Sequence, residues 1–384
     1  MNYVVKKTIK QQMPKIIFTV TNDLNYDQRM IRICSTMAAA GYEVTLVGRK
    51  KKASLDLTNR PFQQQRLTCI FEKGKLFYAE YNLRLFFYLL FAKFDAVCGI
   101  DLDTLLPAYL SSRWKRKPCI YDAHEYFTEL PEVINRPATQ KAWRLVANSI
   151  IPRLKYCYTV CQSLADIFKK EYGPHFEVIR NVPFAEKQLA AKTKTDKAKI
   201  LLYQGALNDG RGIAELLTAM QHINNAELWL AGEGDLSDQL RSMAKELQLE
   251  NKVKFLGYVL PDQLKAVTLQ ADIGLNLLEN KGLNYYYSLA NKAFDYVQAE
   301  IPSINMDFPE YQNLNAEYTC SLLLPDLKIE TISTHLNSLI EDEALYDSLV
   351  ENCKQAKRDW CWEVEKERLI SFYEKVFSLN TRLY

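Results

Sequence analysis

Short apolar segments alternate with amphipathic segments along most of this chain, and this alternation restricts the folds open to it. Residues 15–20 form an apolar run rich in β-branched residues, which predicts a buried strand. A polar loop at 22–27 follows, then a segment of helical periodicity at 28–40 and another strand-like run at 42–47. A strand, a helix and a second strand in this order form the unit of a parallel, doubly wound sheet.

The same pattern recurs through both halves of the chain and predicts two such sheets. Further strands are predicted at 95–100, 117–121, 157–160 and 176–179, then at 200–204, 227–231, 253–256, 273–277 and 302–304. Helices are predicted at 105–112, 140–154 and 163–170, then at 212–221, 236–247, 261–270 and 291–299, with three more across 329–384. Two sheets of this kind face each other across a cleft at the carboxyl ends of their strands, where ligands bind in such folds.

A charged segment without aromatic residues, 186–199, separates the two patterns and is typical of an interdomain linker. We therefore predict a first Rossmann-like domain at 1–185 and a second at 200–357. A last helix, at 358–384, is expected to pack back on the first domain.

Charge and cysteine usage narrow the class of protein. The 49 Lys and Arg nearly balance the 46 Asp and Glu, which argues against a nucleic-acid binder. The nine cysteines form no CxxC pair, as expected for a protein of the reducing cytoplasm. Residues 1–14 are basic and lack the apolar core of a secretory signal.

The most apolar window, residues 76–94, is rich in aromatic side chains. Glu80, Arg84 and Lys93 lie within it, and charges of this kind disfavour a transmembrane span. Two alternatives remain, a buried helix or a helix lying on the cytoplasmic face of an anionic membrane.

The segment 203–212, YQGALNDGRG, predicts a strand, a glycine turn and a helix start. Gly205 opens the turn, backbone N–H groups at the helix start favour an anion, and Arg211 adds a charged donor there. The alternative is a turn that serves packing alone.

The segment 282–302 predicts a helix that begins near Asn291, with Asp295 one turn inside it. A carboxylate there can accept two hydroxyl hydrogen bonds, as a ribose diol offers, while Lys292 adds positive charge to bind an anion. The alternative is an acidic residue that only stabilises the helix dipole.

Polar residues also follow two strands of the first domain, on its cleft side. Asp122, His124 and Glu125 follow one strand and Asn22 and Asp23 another, and we expect them on the acceptor side of the cleft. A structural hydrogen-bonding role for the histidine, and ordinary helix capping in the first loop, are the alternatives.

One short acidic motif, Asp101-Leu102-Asp103, admits two interpretations. A DxD pair could hold a divalent metal on phosphates, but we favour a capping and turn role.

Eight segments occur in an order that resembles a known family across residues 15–310. They are KIIFTVTNDLNYDQR, YDAHE, VIRNVP, YQGALNDGRG, LWLAGEGD, VKFLGY, ADIGLNLL and SLANKAFDYVQAEIPSI. Together they resemble the GT4-type retaining glycosyltransferases. The resemblance implies a GT-B fold of two Rossmann-like domains facing a cleft, a nucleotide-diphospho-sugar donor, no cofactor and no essential metal.

The resemblance also assigns roles to individual residues. Asp295 corresponds to the family's ribose-binding acid, Gly205 and Arg211 to its phosphate loop, and His124 to the cleft histidine that touches the transferred sugar. The loop whose backbone approaches sugar and phosphates corresponds to Ser288, Leu289, Ala290 and Asn291.

The chain departs from the family pattern in four ways. Tyr287 replaces the first acid of the paired-acid motif, and Ala206 replaces an arginine. The second acid is Asp295 and not the longer Glu, and Asn22 and Asp23 occupy the place of paired glycines.

Without a carboxylate nucleophile, same-face attack is the expected route, with Arg211 and Lys292 stabilising the leaving diphosphate. The expected acceptor is a glycan, a lipid-linked or a small molecule of cell-envelope synthesis. A non-catalytic pseudo-transferase or a sugar-nucleotide epimerase are the alternatives.

Overall fold

The computed structural model describes residues 13–25, 27–186 and 198–380, and its first half contains a seven-stranded parallel sheet. Its strands are β1 (Lys15–Thr19), β2 (Glu43–Lys50), β3 (Gln63–Thr68), β4 (Ala96–Ile100), β5 (Cys119–Ala123), β6 (Tyr156–Thr159) and β7 (Phe176–Val178). They lie side by side in the order β3-β2-β1-β4-β5-β6-β7. The helices are α1 (Gln28–Ala39), α2 (Gly74–Phe91), α3 (Asp101–Lys115), α4 (Pro131–Ile134), α5 (Pro137–Ile150) and α6 (Gln162–Tyr172).

The second half contains a separate six-stranded parallel sheet in the order β10-β9-β8-β11-β12-β13. Its strands are β8 (Lys199–Gln204), β9 (Ala226–Ala231), β10 (Val253–Gly257), β11 (Ile273–Asn276), β12 (Ser303–Met306) and β13 (Ser321–Leu324). The first helices are α7 (Ile213–Ala219), α8 (Ser237–Glu246), α9 (Pro261–Thr268), α10 (Leu283–Tyr286) and α11 (Asn291–Gln298). After them come α12 (Pro309–Glu317), α13 (Ile329–Glu341), α14 (Glu343–Asp359) and α15 (Trp362–Asn380).

The two predicted doubly wound sheets are confirmed, and the elements that the sequence pattern did not predict are short or polar. Strand β3 reads QQQRLT, lies at the sheet edge and is half exposed, so it lacks the apolar run that marks a buried strand. Helix α3 starts at Asp101, earlier than the predicted residue 105, and places the DxD motif in its first turn.

The last helix crosses back to the first domain, as predicted. The Trp362 indole nitrogen donates to the Thr36 hydroxyl of α1 over 2.9 Å. The Tyr373 ring lies 5.8 Å from the Phe18 ring of β1, measured between centroids. These contacts connect the two ends of the chain through one apolar core.

Two sequence predictions are not tested by this architecture. The linker prediction at 186–199 falls for the most part outside the described residues, so the domain boundaries stay predictions. The prediction for residues 1–14 likewise lies almost wholly outside them.

Helix α2 occupies most of the window 76–94 and is neither fully buried nor membrane-spanning. One side of it packs into the core through Phe77, Tyr81, Leu85 and Leu89. The opposite side leaves large apolar side chains in solvent. Within the described part of the chain, no helix has the length and hydrophobicity needed to cross a bilayer.

Candidate active site

The carboxyl ends of both sheets face one cleft, with a cavity volume of about 1180 Å³. Predicted site residues from both domains line it: Asn22, His124, Glu125, Arg211, Ser288, Leu289, Ala290, Asn291 and Asp295. Four other predicted residues lie outside the lining: Asp23, Asp122, Gly205 and Lys292. Both domains therefore contribute to the cleft, as the predicted order of strands and helices implied.

A positively charged corner forms where β8 ends. Gly205 turns the chain with a φ of +137°, and Lys292 from α11 reaches to within contact distance of it. The Lys292 ammonium lies 3.9 Å from the centroid of the Tyr203 ring, and the Arg211 guanidinium lies 5.1 Å from that of Tyr285. Aromatic faces hold both cations in place without neutralising them.

In the part of the chain that the structure describes, no carboxylate is salt-bridged to this pair. Among the described residues, neither Arg211 nor Lys292 forms an ion pair, and the buried Nε of Arg211 has no hydrogen-bond partner. Burial, and then repulsion by Arg211, lowers the pKa of Lys292 to about 7. Two close cations with unused donors favour a multiply charged anion, as a diphosphate is.

A carboxylate stands one helical turn away from this corner. Asp295 accepts a hydrogen bond over 2.9 Å from the Gln204 side chain, whose own oxygen accepts from Thr268 over 2.8 Å. Burial raises the pKa of Asp295 to about 6, although Arg32 and Lys292 oppose the shift. Its second oxygen accepts no hydrogen bond from the described residues and is available to a hydroxyl donor.

The first domain contributes a guanidinium beside this carboxylate. Arg32 of α1 donates to the Asn181 side chain, and Asn181 donates over 2.9 Å to Asn291 of the second domain. The buried Nε of Arg32 has no hydrogen-bond partner among the described residues. The sequence gives no sign of this role for Arg32, because a single arginine in an amphipathic helix is usually a solvated surface residue.

A buried ionic network positions His124. Arg29 donates to Asp122 over 3.2 Å, and its Nε lies 2.9 Å from His124 Nε2, which lies 2.9 Å from Asp122 Oδ2. Burial alone would lower the pKa of His124, but Asp122 and Asp101 outweigh burial and raise it. Burial alone would raise the pKa of Asp122, but Arg29 and His124 outweigh burial and hold it below its ordinary value. Asp122 is thus an ionised acceptor that orients the imidazole.

Several acidic residues of the first domain form hydrogen bonds or ion pairs within that domain. Asp23 accepts from Ser54 and lies 3.6 Å from Arg66, inside the first loop, so it does not face the cleft. Asp101 accepts from the His124 backbone nitrogen over 2.8 Å, and Asp103 accepts from Thr21 over 2.6 Å. The DxD motif lies at the start of α3, as its turn interpretation expects, but its capping role is not observed, because no side-chain hydrogen bond from the described residues caps this helix.

No metal centre is evident in the part of the chain that the structure describes. It holds no group of three or more His, Cys, Asp or Glu side chains with the arrangement of a metal site. Tyr287, at the position of the family's first acid, is half-buried with its ring 4.9 Å from that of Tyr286, measured between centroids.

Comparison with known proteins agrees with this geometry. Residues 28–182 match the family described as Glycosyltransferase Family 4, and residues 184–357 match Glycosyl transferases group 1. A lipopolysaccharide core biosynthesis glycosyltransferase, LpsD of Rhizobium meliloti, is 29% identical over 137 residues, or 32% of this chain and 39% of that protein. The chain spans only 21% and 39% of the length of the two curated relatives that it matches.

Solved structures share the fold at low sequence identity. Sucrose-phosphate synthase from Thermosynechococcus elongatus superposes with a TM-score of 0.80 at 15% identity, over 95% of this chain and all of that one. HepE of Anabaena, in complex with UDP-glucose, superposes with a TM-score of 0.73 at 14% identity, over 94% of this chain and all of that one. The two family matches together span residues 28–357 except for residue 183, and the chain therefore belongs to the GT4-type family of glycosyltransferases with the GT-B fold.

Proposed function

We propose that this protein is a retaining, metal-independent glycosyltransferase that moves a sugar from a nucleotide-diphospho-sugar to a glycan, lipid-linked or small acceptor. One observation carries the proposal: Arg211 and Asp295 line a single cleft, and Lys292 lies just outside its lining, beside Gly205 and one turn of α11 from Asp295. A nucleotide-diphospho-sugar combines a diphosphate with a ribose diol, and the cleft offers a partner for each. Cell-envelope glycan synthesis is the proposed context, on the analogy of LpsD.

The second domain would bind the donor. Asp295 would accept hydrogen bonds from the ribose hydroxyls, and the two cations would hold the diphosphate. The backbone of residues 288–291, which lines the cleft beside them, would approach the sugar. Uridine is the first base to test, because the structurally similar HepE was crystallised with UDP-glucose.

The proposed chemistry is same-face substitution at the anomeric carbon. The bond from that carbon to the diphosphate oxygen breaks, the acceptor oxygen bonds to the same face, and its proton passes to the diphosphate. Arg211 and Lys292 would stabilise the negative charge that develops on the leaving diphosphate. Tyr287 offers no carboxylate nucleophile, which favours this route over a covalent intermediate.

His124 would contact the transferred sugar from the opposite domain. His124 Nε2 accepts a hydrogen bond from Arg29 Nε over 2.9 Å and lies 2.9 Å from Asp122 Oδ2, so this nitrogen faces the ionic network. The other ring nitrogen, Nδ1, is 3.8 Å from Asp101, too far for a hydrogen bond, and so stays available. Closure of the two domains around donor and acceptor would exclude water from the reacting carbon.

We place the reaction in the cytoplasm. All nine cysteines are free thiols, and most of them are buried, as expected for a reducing compartment.

A thermal-shift panel tests the proposal. UDP-, GDP-, ADP- and dTDP-sugars and the bare diphosphates are compared with and without EDTA. One nucleotide is expected to raise the melting temperature by several degrees with no effect of EDTA, and Asp295→Ala should abolish the shift. Asp238→Ala, which removes a fully exposed carboxylate of α8, is the matched control and should behave as the wild type.

The outcomes separate the alternatives. Stabilisation that EDTA removes would refute metal independence. Absence of stabilisation by any nucleotide would favour a non-catalytic partner subunit, for which Tyr287 and Ala206 are the sequence argument. Once an acceptor is found, NMR of the product reports whether the anomeric configuration is retained.

A further inference from the structure

Large apolar side chains lie exposed on neighbouring helices of the first domain, away from the cleft. The set, termed here the apolar face, consists of Leu83, Phe87 and Phe91 of α2, Leu106, Leu110 and Trp114 of α3, and Leu145 of α5. Phe91 is 85% exposed, Trp114 79% and Leu145 68%. Single exposed apolar residues are ordinary, but successive residues spaced four apart on two packed helices form a continuous stripe.

These side chains point in one direction. Helices α2, α3 and α5 connect β3 to β4, β4 to β5 and β5 to β6, so they cross the sheet in the same sense. Right-handed connections of one sense lie on one side of the sheet. Helix α3 packs against both α2 and α5 within this layer. The residues that face away from the sheet on all three helices therefore share one outer surface.

The three helices carry six Lys and Arg against three acidic residues, a net charge of +3, and the loop residues at their ends add six more basic residues. Residues 73–93, 101–118 and 137–155 carry 12 Lys and Arg against three acidic residues, a net charge of +9. The whole chain has a net charge of +3, so all other residues together carry −6. Of the three acidic residues, Glu80 forms an ion pair with Arg84 over 2.8 Å. Asp101 and Asp103 accept hydrogen bonds at the cleft end of α3.

We propose that the apolar face docks this protein on an anionic lipid bilayer. Protein surfaces that insert shallowly into the lipid headgroup region typically combine Trp, Phe and Leu side chains with Lys and Arg. Anionic lipids attract each nearby basic residue, and the charge asymmetry orients the first domain toward them. The charge distribution favours a bilayer over a second copy of the chain, since two such faces would repel each other.

Docking through this face leaves the cleft open. Helices α2 and α3 begin at the carboxyl ends of β3 and β4, on the cleft side, and end at the opposite edge of the sheet. Phe91 and Trp114, the most exposed members of the face, are the last residue of α2 and the penultimate residue of α3. They would enter the lipid while the cleft stays accessible to nucleotide from the aqueous phase. The proposal depends on neither the donor nor the reaction.

Trp114 provides an internal reporter for the test. The protein has five tryptophans, and the other four are half-buried or buried. The protein is mixed with vesicles of phosphatidylcholine alone or with about 30% phosphatidylglycerol, at about 0.1 M and 0.5 M NaCl. We expect co-sedimentation with the anionic vesicles at low salt only, a blue shift of tryptophan emission, and quenching by brominated lipid. Trp114→Phe should keep the binding and lose most of the shift.

Paired variants separate the apolar and the charge contributions. Phe91→Ser with Trp114→Ser, and Lys93→Glu with Arg113→Glu, should each weaken vesicle binding by about tenfold or more. The matched controls lie on the second domain, where Tyr258 is exposed on a loop and Lys245 and Arg358 are exposed on helices. Tyr258→Ser, and Lys245→Glu with Arg358→Glu, should bind vesicles as the wild type does.

Three results would overturn the proposal. The first is absence of binding to anionic vesicles while nucleotide binding is intact. The second is equal binding by the variants of the apolar face and their controls. The third is an oligomer in sedimentation velocity that Phe91→Ser with Trp114→Ser converts to a monomer, because the face would then be an interface between copies.

Discussion

Lys292 is expected to take up a proton when a nucleotide-diphospho-sugar binds. In the structure its pKa is about 7, because burial removes the ammonium from water and Arg211 repels it. The diphosphate of a nucleotide sugar carries two negative charges and would raise this pKa toward the ordinary lysine value of about 10.4.

The magnitude follows from the two pKa values. At pH 8 a lysine with a pKa of about 7 carries roughly 0.1 proton, and the same lysine beside a diphosphate carries nearly one. Binding should therefore take up about 0.9 proton at that pH. Because the pKa is higher in the complex, affinity should fall as the pH rises above 7, by up to about tenfold per pH unit. Asp295, with a pKa of about 6, is already ionised at pH 8 and does not contribute.

Calorimetry measures this uptake directly. The nucleotide sugar that stabilises the protein is titrated at pH 8 in two buffers of different ionisation enthalpy, and the difference in heat gives the number of protons. Lys292→Met should bind more weakly and without proton uptake, while Lys245→Met, which removes an exposed lysine of α8, should behave as the wild type. Equal heats in both buffers for the wild type, or unchanged uptake in Lys292→Met, would refute the reasoning.

Two further substitutions test the scaffold of the cleft. Arg29→Ala should lower the free energy of unfolding by about 3–5 kcal/mol in urea denaturation, because it leaves the buried carboxylate of Asp122 without its guanidinium. A loss of less than about 1 kcal/mol would contradict this prediction. Gly232→Ala should lower nucleotide affinity by about tenfold or more with an unchanged circular dichroism spectrum, because the new methyl group would overlap the carbonyl oxygen of Gly205 and displace its loop. Gly41→Ala is its control, since no atom of the described residues lies within 4 Å of the new methyl group, and only a loss of about 1 kcal/mol in stability is expected there. Equal affinity in both variants would show that the Gly205 loop does not contact nucleotide.

Much of the fold could be predicted from the sequence because its signals are local. The alternation of apolar runs and amphipathic helices extends over ten or so residues at a time, and parallel sheets bury their strands on both faces. Strand β3 escaped prediction because an edge strand needs no apolar run. Loops that follow parallel strands gather at one edge of a sheet, so the placement of His124, Arg211 and Asp295 in one cleft was predictable as well.

Other features of the site depend on packing between elements far apart in the chain. Asp23 and His124 both follow a strand, yet the first loop draws the Asp23 carboxylate inward to Ser54, while His124 lines the cleft. Nothing in the sequence near Asp23 distinguishes these outcomes, because the partner lies on a different segment.

The sequence by itself determined the two doubly wound sheets and the placement of Arg211, His124 and Asp295 at the cleft between them, because strand and helix periodicity and loop position are properties of neighbouring residues. Only the tertiary structure decided that Arg29 pairs with Asp122, 93 residues away, and that Arg32 reaches the neighbourhood of Asp295. It also decided which side of α2 faces the core and that Trp114 extends the exposed stripe onto α3. The physical reason is that the sequence gives the charge and the apolar surface of each side chain. The contacts of that side chain depend on how helices and strands cross, and this crossing is a property of the whole chain.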